Sequence, residues 1–491
     1  MKSILAFFGM AMLCMASVWS QNRQLLYDFY EIPQSLMVNP GVKTPYKWHA
    51  GIPLLSGISS QAGTSGITVN DLFANDGIDF TTKVRDRAIN GLSRRDEFGG
   101  SGQIEVFSGG FRGKNRPDDY YSFGMYGEGF ISFFWPQDLA ILGFEGNANN
   151  LNRRFDLGDL ATQGEAVNVF HFGINRKLND QWNVGIRGKL YSSVFDFRSI
   201  RNSGYFVTTE GQNNLLANTI VADLELKTSG IRELLDILED DTIAQSEALP
   251  RWLLERSFFG GNLGLGADFG FTYKLNESTF ITGSLLDVGF IYHSNGLENY
   301  TLDGAVTNEG IEIFLPEDLF QGNNDLWQEL VDDIEELVPY DTNQDAYISL
   351  RPIKLNASIR HNFGNNKNPV RSSRGSFDHC DCTPGKSGQR NDFFDYKNAV
   401  GGHLFMMNRA RGPQAALTAF YQRRFGNILA LKTTYTVDKY SFANLGLGLN
   451  LQAGPVNFYM LADNLLGYRN IADSHYASFQ IGFNIISWND N

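Results

Sequence analysis

The C-terminal stretch from Tyr476 to Trp488 alternates residue by residue between polar or tiny side chains and large apolar ones. The two sets are Ser478, Gln480, Gly482 and Asn484 against Phe479, Ile481, Phe483 and Ile485. Because successive side chains of a strand point to opposite faces, the pattern predicts a β-strand with one apolar face. It recurs along the chain behind an apolar leader. We therefore predict an all-β fold, a single antiparallel transmembrane barrel with apolar side chains towards lipid and polar ones in the lumen.

The composition favours a barrel over a helical membrane protein. Charged residues make up 19%, aromatic residues 13%, and there are 51 glycines, while the mean hydropathy is only -0.24. Half of every barrel strand is polar, which suits these values. No run after the leader is apolar enough for a spanning helix. The net charge of -13 argues against a nucleic-acid partner.

The N-terminus has the pattern of a secretory signal peptide. Lys2 precedes an apolar run from Ile4 to Val18, and Ser20 is the small residue at the expected cleavage site. We predict that residues 1–20 are removed. An exported chain without a spanning helix is either released or inserted as a barrel, so we expect this protein in the cell outer membrane.

Strand candidates with the same alternation fill the mature chain. They lie at about 47–53, 101–112, 120–131, 165–176, 182–190, 263–273, 279–292, 352–363, 398–408, 414–425, 428–437, 442–452, 455–464 and 476–488. This predicts a barrel domain over residues 45–491 with about fourteen strands and both termini in the periplasm. Counting strands from a periplasmic N-terminus then places the long insertions at about 195–260 and 293–349 on the outside of the cell. The same count places the Cys-containing insertion 364–396 in the periplasm.

Short helices are expected in the long loops. Residues 69–74 predict a helix capped by Asn70, and residues 231–238 and 325–338 have helical spacing of apolar side chains. Two interpretations remain for the helix at 325–338, which either docks a partner or covers the mouth of the barrel.

Four segments carry a resemblance to a known family. They are SLMVNPG (Ser35–Gly41), GIPLLSGISSQAGTSGITVNDLF (Gly51–Phe73), LLDVGFI (Leu285–Ile291) and SLRPIKLNASIRH (Ser349–His361). In these patches the chain resembles an uncharacterised outer-membrane barrel family of Bacteroidota. That family looks like the long-chain fatty-acid channel (FadL-type) group, which includes barrels that serve type IX secretion.

The resemblance implies fourteen strands and an N-terminal hatch inside the lumen that bears an Asn-Pro-Ala motif. Residues 21–44 would form this hatch. Asn39 and Pro40 match the first two positions of the motif, and Gly41 departs from it at the third.

Six charged residues of the strand candidates are predicted to face the lumen. They are Glu128, Arg187, Lys189, Asp268, Arg360 and Lys432. A charge that faced lipid near the bilayer centre would cost about 2–4 kcal/mol. These residues form either a polar conduit that selects solutes or a lumen sealed by ion pairs and the hatch. The second interpretation is favoured.

Metal and catalytic chemistry have little support. His379, Cys380 and Cys382 form a weak metal half-site, since thiolates and imidazole suit zinc or copper. A local disulfide or two free thiols explain them as well. Ala346 and Pro352 stand where a calcium loop that begins at Asp341 would need Gly and Glu. No nucleophile–base pairing is recognisable, so we predict no enzymatic activity and no cofactor.

Two functional hypotheses from different classes remain. The first is a channel for uptake of hydrophobic small molecules. The second is a structural or scaffold subunit of an envelope machine for type IX secretion or barrel assembly, and an outer-membrane enzyme is a minor third. The expected partners are outer-membrane lipids, the barrel-assembly machinery and other outer-membrane or secretion-system subunits.

Overall fold

The structure, a computed structural model, describes residues 22–211, 215–239, 245–309, 340–365, 396–408, 412–438 and 444–488. The predicted signal peptide, the helix at 325–338 and the candidates His379, Cys380 and Cys382 lie outside this part of the chain. Among the described residues, no helix has the length and hydropathy needed to cross a membrane.

Fourteen antiparallel strands close into a barrel, which confirms the predicted fold class. The first strand has two parts, and so does the eighth. In chain order the barrel strands are β1 (Tyr46–Gly51) with β2 (Ile58–Thr64), β3 (Glu97–Arg112), β4 (Asp119–Phe134), β6 (Thr162–Lys177), β7 (Trp182–Glu210), β9 (Asn262–Lys274), β10 (Thr279–His293), β13 (Tyr347–Leu350) with β14 (Lys354–Asn365), β15 (Tyr396–Met407), β16 (Gln414–Phe425), β17 (Leu429–Val437), β18 (Asn444–Ala453), β19 (Val456–Asp463) and β20 (Tyr476–Trp488).

Closure depends on the strand at which the sequence pattern was clearest. β20 pairs with β19 on one side and with both β1 and β2 on the other. Its apolar set, which includes Phe479 and Ile485, faces outward, while Ser478, Gln480 and Asn484 are buried in the lumen. The alternation is therefore explained by a wall that is apolar outside and polar inside.

The first strand is interrupted at residues 52–57. Over this interval the chain advances from Gly51, opposite Asn484, to Ile58, opposite Ile481, so β1–β2 contains extra residues relative to β20. Leu54 has a φ of 61° and is 55% exposed. The insertion also places Ser56 in the lumen, where its carbonyl accepts from Tyr459 at 2.9 Å. It kinks the strand locally, as β-bulges do, and it was not predicted from the sequence.

Part of the predicted insertion 195–260 is strand. The upper part of β7 continues beyond the barrel and forms a small external sheet with short or peripheral strands. These are β5 (Arg154–Asp156), β8 (Leu216–Ser229), β11 (Asn299–Glu309) and β12 (Asp341–Asn343). Leu142, Phe155 and Phe206 form a local apolar core beneath it.

Seven short α-helices occur in the described residues. They are α1 (Asn22–Leu26), α2 (Ser35–Val38), α3 (Val69–Phe73), α4 (Phe80–Lys83), α5 (Gln137–Glu145), α6 (Ile231–Glu239) and α7 (Gln245–Glu255). The expected cap of α3 is wrong. The Thr68 hydroxyl, rather than the Asn70 side chain, accepts from the Asp71 amide, and the Asp71 carboxylate accepts from the Thr68 amide. The two form a reciprocal capping box.

Candidate functional site in the barrel lumen

The N-terminal residues 22–44, which we call the hatch, lie inside the barrel. Every hatch side chain described between Gln24 and Leu36 is buried. One apolar cluster joins Leu25 and Phe29 to Tyr459 and Leu461 of β19. A second cluster places Tyr30 and Leu36 against Tyr46, Tyr120, Phe280 and Ile486. The hatch thus crosses the lumen and packs against the inner surface of the wall on opposite sides of the barrel.

The Asn39-Pro40-Gly41 motif is the part of the hatch that lies closest to the wall. Asn175 donates its amide N–H groups to the carbonyls of Pro40 (2.6 Å) and Val42 (2.7 Å). The Gly41 carbonyl accepts from Asn183 and from Thr272, each at 2.9 Å. Wall side chains therefore satisfy a turn whose carbonyls would otherwise be buried without partners.

Two wall glycines make this close approach possible. A Cβ on Gly185 would lie 1.9 Å from the Pro40 carbonyl oxygen, and one on Gly270 would lie 2.2 Å from the Asn39 side-chain oxygen. Gly41 is equally constrained, because its Cβ would lie 2.3 Å from the Gly270 backbone. Its departure from the Asn-Pro-Ala pattern removes a methyl group where backbone meets backbone.

The opposite side of the hatch also meets glycines. A Cβ on Gly448 would approach Phe29 to 3.0 Å, and one on Gly446 would approach Leu25 to 3.1 Å. Both glycines are on β18, across the lumen from β7 and β9. The hatch is therefore seated between two glycine-lined surfaces.

Ion pairs and charge-assisted hydrogen bonds hold the middle of the hatch. Asp28 accepts from Thr282 (3.2 Å) and Ser358 (2.5 Å), and its carbonyl accepts from Arg360 (2.6 Å). Glu31 pairs with Arg424 and accepts from Gln422. These bonds are stronger than neutral ones because one partner carries a full charge.

Lys432 supports the same region. It donates to the carbonyl of Tyr27 and lies 4.4 Å from the centre of the Phe420 ring, so a backbone dipole and an aromatic face share its charge. Lys432 and Arg360, two of the predicted lumen residues, thus contact the hatch directly.

Arg187 joins the hatch to a network of buried charges. It donates to the carbonyls of Leu36 and Met37 and pairs with Asp268 at 3.1 Å. Lys189 pairs with Asp268 (2.9 Å) and with Asp287 (2.5 Å). The structure brings these three predicted residues together within one network.

Two members of that network were not predicted. Lys354 pairs with Asp287 at 2.5 Å. Its alternation with Arg360 along β14 marks it as inward-facing, so the sequence contained the signal. No such signal identified Asp287 as inward-facing, because it lies in a bulge between Leu285 and Val288 and has a φ of 59°. A bulge shifts the two-residue period, so simple alternation fails there.

The last predicted residue, Glu128, lies above the hatch. Arg351 pairs with both Glu128 and Glu165. Arg351 lies between β13 and β14, outside any alternating run, which explains why the sequence pattern did not identify it. A cavity of about 80 Å³ opens beside this group, with Met37 and Val38 of the hatch at one side and Lys189, Arg351 and Lys354 at the other.

The part of the chain that the structure describes shows no group of three or more His, Cys, Asp or Glu side chains placed for a metal ion. The Cys380 region is not among these residues. Within the described lumen, the observed chemistry is that of charge pairing and hydrogen bonding around a plug.

The fold and this site define a β-barrel whose lumen is occupied by its own N-terminal segment. By sequence, residues 40–463 match the family described as "Family of unknown function (DUF5723)", and the chain belongs to that family. No curated protein matches it.

Solved structures with similar strand arrangements include toluene transporters and a FadL homologue. The Ralstonia pickettii toluene transporter TbuX has 9% identity and a TM-score of 0.37, over 93% of this chain and 94% of that one. The P. putida toluene transporter TodX has 9% identity and a TM-score of 0.36, over 97% and 96%. A Pseudomonas aeruginosa FadL homologue has 10% identity and a TM-score of 0.39, over 97% and 100%. At these values no function follows from the likeness.

Proposed function

We propose that this protein is an outer-membrane channel for small molecules with a hydrophobic part, and that the hatch closes it at rest. The membrane location is supported by large apolar side chains exposed on many strands, including Phe172, Leu265, Ile359, Leu417 and Phe479. A soluble protein rarely exposes so much contiguous apolar surface. On a barrel wall these side chains match the hydrocarbon of a bilayer.

The observation that carries the proposal is the way the hatch fills the lumen. The cavity above it has about 80 Å³, whereas sites for small organic ligands span roughly 300–1,000 Å³. Passage of a solute therefore requires the hatch to move. The neutral hydrogen bonds that hold it contribute only about 0.5–1.5 kcal/mol each, and those to charged groups about 1.5–3 kcal/mol, because water can replace them.

The cavity walls indicate the kind of solute. Leu26, Met37 and Val38 give the hatch side an apolar surface, while Lys189 and Arg351 give the barrel side a charged one. A molecule with an apolar body and a polar group matches both sides. This favours an amphipathic compound over a pure hydrocarbon or an inorganic ion.

Conductance of the purified protein in planar lipid bilayers tests the proposal. We expect rare openings in the wild type and frequent ones in the Asn175→Ala/Asn183→Ala double variant, which loses amide donors to the carbonyls of the motif. Asn450→Ala/Asn457→Ala is the matched control, because these lumen asparagines bond to each other at 2.7 Å.

Native mass spectrometry after gentle detergent extraction supplies the second readout. A single barrel that carries an amphipathic compound supports the channel. A fixed stoichiometric complex with other envelope proteins, together with equal silence of both double variants in bilayers, would overturn it in favour of a scaffold subunit.

A further inference from the structure

The outward faces of β7, β9 and β10 carry three small side chains in one row, which continues the row of the large Phe172 on β6. Phe172 pairs with Gly188, Gly188 with Ala267, and Ala267 with Val288. The rows on either side carry larger residues. They are Phe170, Leu190, Leu265 and Phe290 on one side, and Ile174, Ile186, Phe269 and Leu285 on the other.

A groove lies at the Gly188 end of this row, among larger side chains of β4, β6 and β7. It has about 700 Å³, and we call it the wall groove, defined by Phe123, Phe170, Phe172, Ile186, Gly188 and Leu190. Strands β4, β6 and β7, which carry the groove, pair with one another along it, so the groove is a depression in the outer surface and not an opening through the wall.

Two aromatic rings from the external insertion reach the groove. A kinked turn, Arg256–Gly260, follows α7 and carries Phe258 and Phe259, whose backbone angles are not helical. The Phe259 ring stacks on Phe170 with a centroid distance of 4.9 Å, and the Phe258 ring lies at 6.2 Å. Both phenylalanines remain about half exposed, at 51% and 47%. A soluble loop gains nothing from such exposure.

Polar contacts fix the rings in this position. Arg256 is buried and donates to the Val194 carbonyl (2.5 Å), to Glu233 (2.9 Å) and to the Ser229 hydroxyl (3.3 Å). Phe259 has a φ of 71°, a left-handed conformation that a bulky residue rarely adopts. Surrounding contacts that hold a strained residue in place are typical of functional sites.

We propose that the wall groove and the Phe258–Phe259 pair bind one acyl chain of an outer-leaflet lipid. The groove is continuous with the lipid-facing wall, so the bilayer itself supplies the occupant. An acyl chain in the groove buries apolar surface of Phe170, Leu190 and both loop rings. The proposal rests on the membrane location given above and not on channel activity.

The test is native mass spectrometry of protein released from nanodiscs of phosphatidylethanolamine. Gly188→Leu fills the groove, and it is tolerated because a Cβ there meets nothing nearer than 4.0 Å. Gly402→Leu is the matched control on β15, where a Cβ also meets nothing nearer than 4.0 Å. Phe259→Gly removes a ring and suits the left-handed backbone.

We expect the wild type and Gly402→Leu to retain one lipid. Gly188→Leu and Phe259→Gly should lose it about tenfold more readily, because each removes a buried apolar contact with the acyl chain. Heat-modifiable migration on gels confirms that each variant is folded. Equal retention in all four proteins means non-specific boundary lipid and overturns the proposal. Bilayer conductance is measured separately, so a silent barrel that retains its lipid would count only against the channel.

Discussion

Gly185→Ala gives the sharpest test of how the hatch is held. The added Cβ would lie 1.9 Å from the Pro40 carbonyl oxygen, and ordinary contact begins at 3.4 Å. The hatch must therefore withdraw by about 1.5 Å, the difference between these two distances, because the wall strand is fixed by ladder pairing on both sides.

That withdrawal has a calculable cost. It takes the Asn175–Pro40 hydrogen bond of 2.6 Å and the Asn183–Gly41 bond of 2.9 Å beyond useful range. Each lost bond costs about 0.5–1.5 kcal/mol, and overpacking costs about 1–3 kcal/mol. The total is roughly 2–6 kcal/mol against the docked hatch. Even the lower value raises the ratio of undocked to docked hatch about 30-fold.

The measurement is open probability in planar bilayers. Gly188→Ala is the control, since it makes the same change three residues along the same strand, where a Cβ meets nothing nearer than 4.0 Å. We expect frequent openings only in Gly185→Ala. Heat-modifiable migration on gels checks that both variants are folded. Folded variants with equal conductance would refute the idea that the hatch is seated on this glycine.

Three further outcomes follow from the structure. Asp287→Ala removes the buried carboxylate that Lys189 and Lys354 share, so we expect a loss of about 3–5 kcal/mol in urea unfolding from liposomes, and an unchanged midpoint would contradict the network. Leu449→Arg places a charge on the lipid-facing side of β18 and should cost about 2–4 kcal/mol in the same assay, whereas a neutral result would argue against a lipid-facing wall. In the capping box, burial raises the pKa of Asp71, but hydrogen bonds from Thr68 outweigh it and lower this pKa. The contribution of the capping box to the stability of α3 should therefore be complete above the ordinary pKa of 3.8 and decline as the pH falls through the lower folded value. The decline is measured as a loss of amide-exchange protection relative to the intrinsic rate at each pH, and it should be smaller in Thr68→Ala.

The strands were predictable because a barrel wall imposes one rule at every position. Residues such as Phe479 and Gln480 differ in polarity because one faces out and the other in, and no long-range information is needed to see this. The rule fails where a strand leaves the wall. The upper part of β7 extends to Glu210 in a region predicted as an insertion, because an external sheet with its own small core does not impose a strict lipid-and-lumen alternation.

The lumen contacts were predictable only in part. Alternation placed Arg187 and Lys189 inside, but their partners are set by the closure of the barrel and by the path of the hatch. Asp28 and Ser358, for example, are separated by 330 residues and meet at 2.5 Å. A pattern within one strand contains no information about such a pair.

The small residues of the polar face acquire a specific meaning once the hatch is in place. Gly270 and Asp268 alternate on the same inward face of β9, and the sequence alone showed them only as tiny or polar positions. Glycine occurs where the hatch backbone touches the wall, and a charged or amide side chain occurs where a hatch carbonyl or a buried charge needs a partner. The wall strands therefore specify where the plug lies as well as how the barrel closes. Stability of the wall alone does not explain why Gly185 and Gly270 lack side chains. Their absence leaves space for the hatch, which precedes the first barrel strand.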